Sequence, residues 1–246
     1  MSVEFGEGGC GCPARPFIPA PTTGNPLFIP GGEASPKALQ GTADGERVDM
    51  TTIAIEGTDD AHDVGLTAAP WLVRAAHLDS ITGAGARVLA RLGIALVIDL
   101  REDEERGFTQ HGLPVRHVPI YRSREEVPAT GTLDGRYDSM ISGHGRALAS
   151  AVAAIADSPG PVLVHCSTGK DRTGLVVALT LLAAGVCEED VLRLEQGSPA
   201  SALRQALHGL ARFGGAEAYL LRHGLTVDQF HSLRDRVALE RYEPAD

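Results

Sequence analysis

Beyond Thr51 the chain alternates short apolar runs with longer stretches in which apolar positions recur every three or four residues. Short runs bounded by Gly, Pro or polar clusters read as strands, and the longer periodic stretches as helices packed by one face. Thr52-Ile53-Ala54-Ile55 and Trp71-Leu72-Val73-Arg74 predict strands. Thr82 to Leu92 predicts a helix, with Thr82 as its N-cap and Gly93 closing it. Ile94 to Leu100 is almost continuously apolar, as in a strand buried on both faces of a parallel sheet. Val115 to Ile120 predicts a further strand, nearer an edge because of its two prolines. Ser139 to Ala156 reads as one alanine-rich helix stopped by Ser158-Pro159-Gly160, and Val162-Leu163-Val164 as the central strand. Leu175 to Val186 is a buried helix, and four helical stretches follow, interrupted at Gly197-Ser198-Pro199 and Gly214-Gly215. The expected fold is α/β: a central, mostly parallel sheet flanked by helices on both faces, with a helical C-terminal part.

Residues 1–47 do not share this pattern. Seven of the fifteen prolines and seven glycines fall in the first forty residues. Such a segment buries too little apolar surface to offset its ordering entropy unless it packs on a domain. A flexible or wrapping arm is expected there, with Phe17-Ile18 and Leu27-Phe28-Ile29 as docking points, followed by a single domain over 48–246.

Composition narrows the setting. The 246 residues have 43% hydrophobic content and a formal net charge of −10. That charge disfavours nucleic acid and a generic anionic membrane as partners. The longest apolar run, Leu175 to Val186, is a dozen residues interrupted by Thr180 and Gly185, too short for stable membrane insertion. The N-terminus carries glutamates and no cationic segment, so no secretory signal is expected. Four cysteines without paired zinc spacing suit a reducing cytoplasm and imply no metal, and Cys10-Gly11-Cys12 is too short for a CxxC motif. An anionic substrate must then be drawn by a local positive site, with Arg122, Arg124 and Arg136 as a candidate rim.

The candidate chemistry sits in Val164-His165-Cys166-Ser167-Thr168-Gly169-Lys170-Asp171-Arg172-Thr173-Gly174. Five residues separate the thiol of Cys166 from the guanidinium of Arg172, across a small-residue loop between an apolar strand and an apolar helix. One tight loop of that kind can wrap a phosphate, with its backbone N–H groups and the helix N-terminus aimed inward. The same field favours thiolate over thiol, making Cys166 a nucleophile. Arg172 offers a planar fork for two phosphate oxygens. Gly169 permits the sharp turn, Ser167 and Thr168 leave the mouth open, and Thr173 can donate its hydroxyl to the sulfur or simply open the helix. Lys170 is one of only two lysines against twenty arginines, which suggests a specific task. A Walker-type nucleotide loop does not fit, because Asp171 follows the lysine and Val164 stands where a glycine should be.

The string His165-Cys166-x-x-Gly169-Lys170-Asp171-Arg172-Thr173-Gly174 resembles the signature loop of the bacterial tyrosine phosphatase family, whose members often also hydrolyse phosphoinositides. Trp71 to Asp79, Leu92-Gly93-Ile94 and Val97-Ile98-Asp99-Leu100-Arg101 are similar to that family's upstream block. Gly215 to Leu220 and His223-Gly224-Leu225-Thr226 look like its C-terminal segment, so the likeness spans about residues 50–240. One element departs: the family's Asn-x-Arg-Asp-x-Gly-Gly is here Asp60-Ala61-His62-Asp63-Val64-Gly65-Leu66. The resemblance implies a cofactor-free phosphomonoesterase acting on phosphorylated protein or phosphoinositide, with Lys170 meeting an additional phosphate.

The general acid stays open between two aspartates. Asp171 lies in the loop, either protonating the leaving oxygen or only bracing the loop; Asp99, at its strand end, is the second candidate. Asp103 to Glu105 read as a solvated acidic helix start, His165 as a residue that orients the loop, and His62 with Asp63 as outlying neighbours. A phosphate-binding module without turnover is the alternative class, and retention of both Cys166 and Arg172 argues against it.

Overall fold

The computed structural model describes residues 50–64, 69–108, 111–128, 132–194 and 200–238. The proline-rich arm, Cys10-Gly11-Cys12, Gly65-Leu66 and Gly197-Ser198-Pro199 lie outside the described residues. Among the described residues six strands form one sheet in the order β1-β2-β3-β6-β4-β5. They are β1 Thr51–Thr52, β2 His62–Asp63, β3 Leu72–Ala75, β4 Leu96–Asp99, β5 Val115–His117 and β6 Val162–His165. The pairings β3–β6, β6–β4 and β4–β5 are parallel, whereas β1–β2 and β2–β3 are antiparallel. The mostly parallel α/β sheet expected from the sequence is therefore present, with β6 central and β5 at the edge.

Alternation along the strands builds two cores. Leu72, Ile98, Val162 and Val164 face one side, and Val73, Val97 and Leu163 the other. Helix α1 (Gly83–Arg91) covers the second side with Leu89. Its N-cap Thr82 accepts a hydrogen bond from the Gly85 amide at 3.2 Å, and Gly93 closes it at φ +67°. The first side is thicker: α2 (Leu133–Gly143), α3 (Gly145–Ala156), α4 (Asp171–Ala183) and α5 to α8 (Glu188–Leu194, Ala200–Gly209, Ala216–Arg222, Val227–Ala238) pack there. Helix α4 is enclosed almost all round, with every residue from Thr173 to Leu181 buried. A helix opening straight from a central strand and buried on all sides holds the connecting loop rigidly.

Three elements differ from expectation. The strand read at Thr52–Ile55 ends at Thr52, because the chain turns there: the Ile53 amide bonds the Ala61 carbonyl and the Thr58 amide the Ile55 carbonyl. The strand read at Val115–Ile120 ends at His117, just before Pro119 removes an amide donor. The single helix read at Ser139–Ala156 is two helices parted at His144, whose φ/ψ of −122°/25° is not helical. The break is fixed at Gly145, where a Cβ would lie 2.5 Å from the His223 ring. Only a glycine lets α3 begin against that imidazole.

Candidate active site

The loop from Cys166 to Lys170 joins the C-terminal end of β6 to the start of α4. Ligand sites in open α/β sheets lie at this end of the strands. The loop is fastened from below by β3. Buried Arg74 donates from Nη2 to the Gly169 carbonyl at 2.6 Å, and the His77 amide bonds the Ser167 carbonyl at 3.2 Å. Gly169 itself sits at φ +71°, with the Ala75 carbonyl oxygen 2.5 Å from where a Cβ would stand. Both facts exclude any other residue there without distortion.

A second fastening comes through β4. Arg101 is buried in a cage of acceptors: Asp79 takes Nη1 and Nη2 at 2.7 and 3.0 Å, and Asp99 takes Nε and Nη2 at 3.0 Å each. Burial works against each of these charges, but the mutual pairing wins, and both aspartates are held below the ordinary carboxylate range. Asp99 also accepts from the Arg101 amide and lies 3.9 Å from His165 Nε2. An aspartate so locked is a poor proton donor, so the geometry does not support Asp99 as the acid. His165 is buried, which pushes its imidazole toward the neutral form despite the Asp99 charge. Its Nδ1 lies 3.2 Å from the Cys166 carbonyl, and since a carbonyl only accepts, the proton belongs on Nδ1.

Arg172 is the centre of the arrangement. Its Nη1 donates to Glu102 Oε1 and Oε2 at 2.9 and 2.8 Å and to Glu105 Oε2 at 2.5 Å. Its Nη2 reaches Glu105 Oε1 at 3.2 Å and Ser167 Oγ at 3.3 Å, while Ser167 Oγ donates to Glu105 Oε1 at 2.9 Å. Burial alone would weaken the guanidinium's charge, but the hydrogen bond to Glu105 and the charges of Cys166, Glu102 and Glu105 outweigh it. The two glutamates titrate as a unit. Burial and the neighbouring carboxylate push Glu102 up to about 7. Burial acts the same way on Glu105, but Arg172 and Ser167 hold it down at about 2. The first proton therefore rests on Glu102.

The remaining sequence candidates are placed as follows. Cys166 is 2% exposed at the loop floor. Ser167 is half-buried and Thr168 exposed at the mouth. Thr173 is fully buried, and its hydroxyl has no hydrogen-bond partner among the described residues. Asp171, in the first turn of α4, lies 3.4 Å from Arg136 Nη1. Lys170 is half-exposed and pairs at 3.7 Å with Asp60, which in turn lies 3.7 Å from His62. Of the three rim arginines, Arg136 alone reaches this region among the described residues, through Asp171 at the start of α4; Arg122 lines a separate cavity.

Several residues went unread in the sequence. Glu105 is no solvated helix start: the short 3-10 turn Asp103–Glu105 aims it at Arg172. No local pattern marks Glu102 or Arg74 as part of the site. The available signal was position, since acidic residues directly after a parallel strand's C-terminal end fall beside the loop.

Residues 57–193, more than half of the chain, match the family described as the tyrosine phosphatase family. A tyrosine-protein phosphatase of Nostoc commune is 26% identical over 216 residues, covering 67% of this chain and 73% of that protein. The triple specificity protein phosphatase PtpB of Mycobacterium tuberculosis is 30% identical over 161 residues, covering 49% of this chain and 58% of PtpB. Among solved structures, P. aeruginosa TpbA in complex with pTyr aligns over 79% of this chain and 99% of its own, at 18% identity and a TM-score of 0.41. No helix among the described residues is long and apolar enough to cross a membrane.

The glutamate pair generates a pH signature. Between its ordinary value of 4.5 and about 7, folded Glu102 keeps a proton that the unfolded chain has released, so its contribution to stability falls as pH rises through that window. Glu105 works the other way, adding stability that is lost as pH falls from 4.5 towards about 2. Glu102→Gln removes the upper limb. Thermal unfolding of both proteins from about pH 5 to about pH 7.5 should show the variant gaining on the wild type as pH rises, at about 2–4 °C per kcal/mol of linkage. A difference that stays constant across that range would place the proton elsewhere.

Proposed function

The chain belongs to the tyrosine phosphatase family, and from that premise we propose that it is a metal-independent phosphomonoesterase that works through a cysteinyl-phosphate on Cys166. The observation that carries the reading is the convergence of Cys166, Arg172 and the Ser167–Lys170 backbone at one loop braced by Arg74. Phosphotyrosine in a protein is the proposed substrate. A phosphoinositide is a second substrate class, favoured by the half-exposed Lys170 beside the loop and by the triple specificity named for PtpB.

In the proposed mechanism the Cys166 thiolate attacks phosphorus in line while the ester P–O bond breaks. Arg172 holds two equatorial oxygens and follows their charge into the transition state. To do so it exchanges a partner. Glu105 occupies the Nη1 and Nη2 positions that phosphate oxygens need, and its side chain is 33% exposed on a short turn. Glu102, with a side chain 2% exposed, stays and keeps the guanidinium aimed. Glu105 is thus an internal anion that substrate displaces. Asp171 protonates the leaving oxygen, then accepts a proton from the water that cleaves the S–P bond. The buried, unpartnered hydroxyl of Thr173 is available to donate to the departing sulfur. The contact of Asp171 with Arg136 supports a bracing role as its competitor.

Four measurements test this reading. Wild type should hydrolyse phosphotyrosine peptides, unaffected by chelators, whereas Cys166→Ser should bind them and turn none over; Lys170→Ala should reduce phosphoinositide hydrolysis by about tenfold more than aryl phosphate hydrolysis. Activity retained in Cys166→Ser, or lost on chelation, would sink the mechanism. Asp171→Asn should slow alkyl phosphates far more than activated aryl phosphates, because a good leaving group needs little proton help. Equal slowing of both classes would assign Asp171 to bracing. Glu105→Gln should lower KM for an aryl phosphate, and the inhibition constant of inorganic phosphate, by about three- to tenfold with kcat little changed. An unchanged KM would mean that Glu105 and phosphate do not compete.

A further inference from the structure

A second cavity, about 410 Å3 in volume, opens on the same end of the sheet as the loop. Its walls come from the segment past β5, which carries Arg122, and from the start of α3, which carries His144 and Arg146. Helix α3 leads down to the beginning of β6, so its Gly145 end and Cys166 at the end of β6 lie on one side of the molecule. Tyr121 stands between the two sites. Its ring packs edge-on to His144 at 4.8 Å, and its phenol is 3% exposed and lies within the field of Arg172, Arg136 and Asp171.

The cavity collects positive charge in a chain whose formal net charge is −10. Arg122 and Arg146 both line it, and neither side chain makes a hydrogen bond or ion pair among the described residues. Among the described residues Glu126 is the one carboxylate in the lining, and it is already engaged by the Arg122 amide at 2.8 Å and by His144 Nδ1 at 3.8 Å. The far wall is His223, pressed against Gly145 and packed on the Tyr219 ring at 4.6 Å. Arg146 also falls in the first turn of α3, where no acidic residue and no capping side chain stands. A cation at the positive end of a helix is misplaced for stability. Local arrangements that oppose stability are the places where function is expected.

We propose that this cavity is a second anion subsite, taking an acidic or phosphorylated side chain that flanks the phosphotyrosine of a peptide substrate. The inference rests on the phosphotyrosine-hydrolase reading above. A peptide suits the site better than a lipid surface because the body is acidic and the positive charge of the cavity is confined to two guanidinium groups. At about 410 Å3 the cavity has room for an anionic side chain together with the peptide backbone that carries it. A peptide seated in the loop and crossing Tyr121 brings its neighbouring residues over Arg122 and Arg146, so the subsite selects sequence context and leaves the chemistry to the loop.

The test pairs kinetics with a binding readout. On phosphotyrosine peptides carrying Asp, phosphoserine or Ala at successive flanking positions, wild type should favour the anionic peptides by about three- to tenfold in kcat/KM. The Arg122→Gln/Arg146→Gln double variant should lose that preference while hydrolysing para-nitrophenyl phosphate at the wild-type rate. Independently, the His223 ring resonance of Cys166→Ser protein should titrate at higher pH when an unphosphorylated acidic peptide is added, because the bound anion offsets the burial and the Arg222 and Arg146 charges that lower it. No preference in wild type, or a preference that survives the double variant, overturns the subsite. A preference confined to a soluble inositol bisphosphate and lost in the double variant overturns the peptide assignment. If no phosphotyrosine peptide is turned over yet His223 still responds to acidic peptide, the catalytic reading has failed and the subsite stands.

Discussion

A guanidinium withdrawn from water must be met by acceptors on every side, and Arg172 is where that constraint shapes this molecule. Its side chain is 13% exposed and is answered by Glu102, Glu105 and Ser167. Two further buried arginines repeat the pattern beneath it: Arg101 between Asp79 and Asp99, and Arg74 on the Gly169 carbonyl. Arg74 ties β3 to the loop, and Arg101 ties the end of β4 to Asp79 and to the Glu105 carbonyl beside it. Removing one partner of such a set leaves an uncompensated charge, which costs more than the intact pair contributes. The loop is therefore held by electrostatic closure as well as by packing, and its shape is settled before any substrate arrives.

The two glutamates show how a site can be both stable and available. Glu102 and Glu105 make similar contacts to one guanidinium but differ in enclosure, at 2% and 33% side-chain exposure. Enclosure divides the work. In the proposed mechanism the buried glutamate fixes orientation, and the accessible one gives way to the phosphate. The acidic body is consistent with this economy of positive charge, which is spent at the loop and at the cavity beyond Tyr121.

Much of the framework was legible in the sequence because it depends on local pattern. Thr82 and Gly93 mark the ends of α1 by hydrogen-bonding chemistry confined to a few residues, and the run before Cys166 identifies the central strand by its lack of polar positions. The loop was readable for the same reason, since its small residues, thiol and guanidinium are contiguous. What escaped is long-range. The break at His144 is imposed by an imidazole almost eighty residues later, pressed on Gly145. Glu105 looked like a solvated helix start because nothing nearby marks a carboxylate whose partner is Arg172, 67 positions away. Arg74 in an apolar strand was equally silent, its meaning lying in a carbonyl 95 residues downstream.

The central place of β6 also bears on how the protein is made. Its neighbours in the sheet are β3 and β4, so Val162 must meet both Leu72 and Leu96 across long intervening segments of chain. Pairings this distant carry a loop-closure cost before they return any stability, which slows folding. Since β6 ends where Cys166 begins, the thiol reaches its charged surroundings only when the last strand slots into the sheet. On the proposed mechanism, the nucleophile is therefore assembled only in the finished fold.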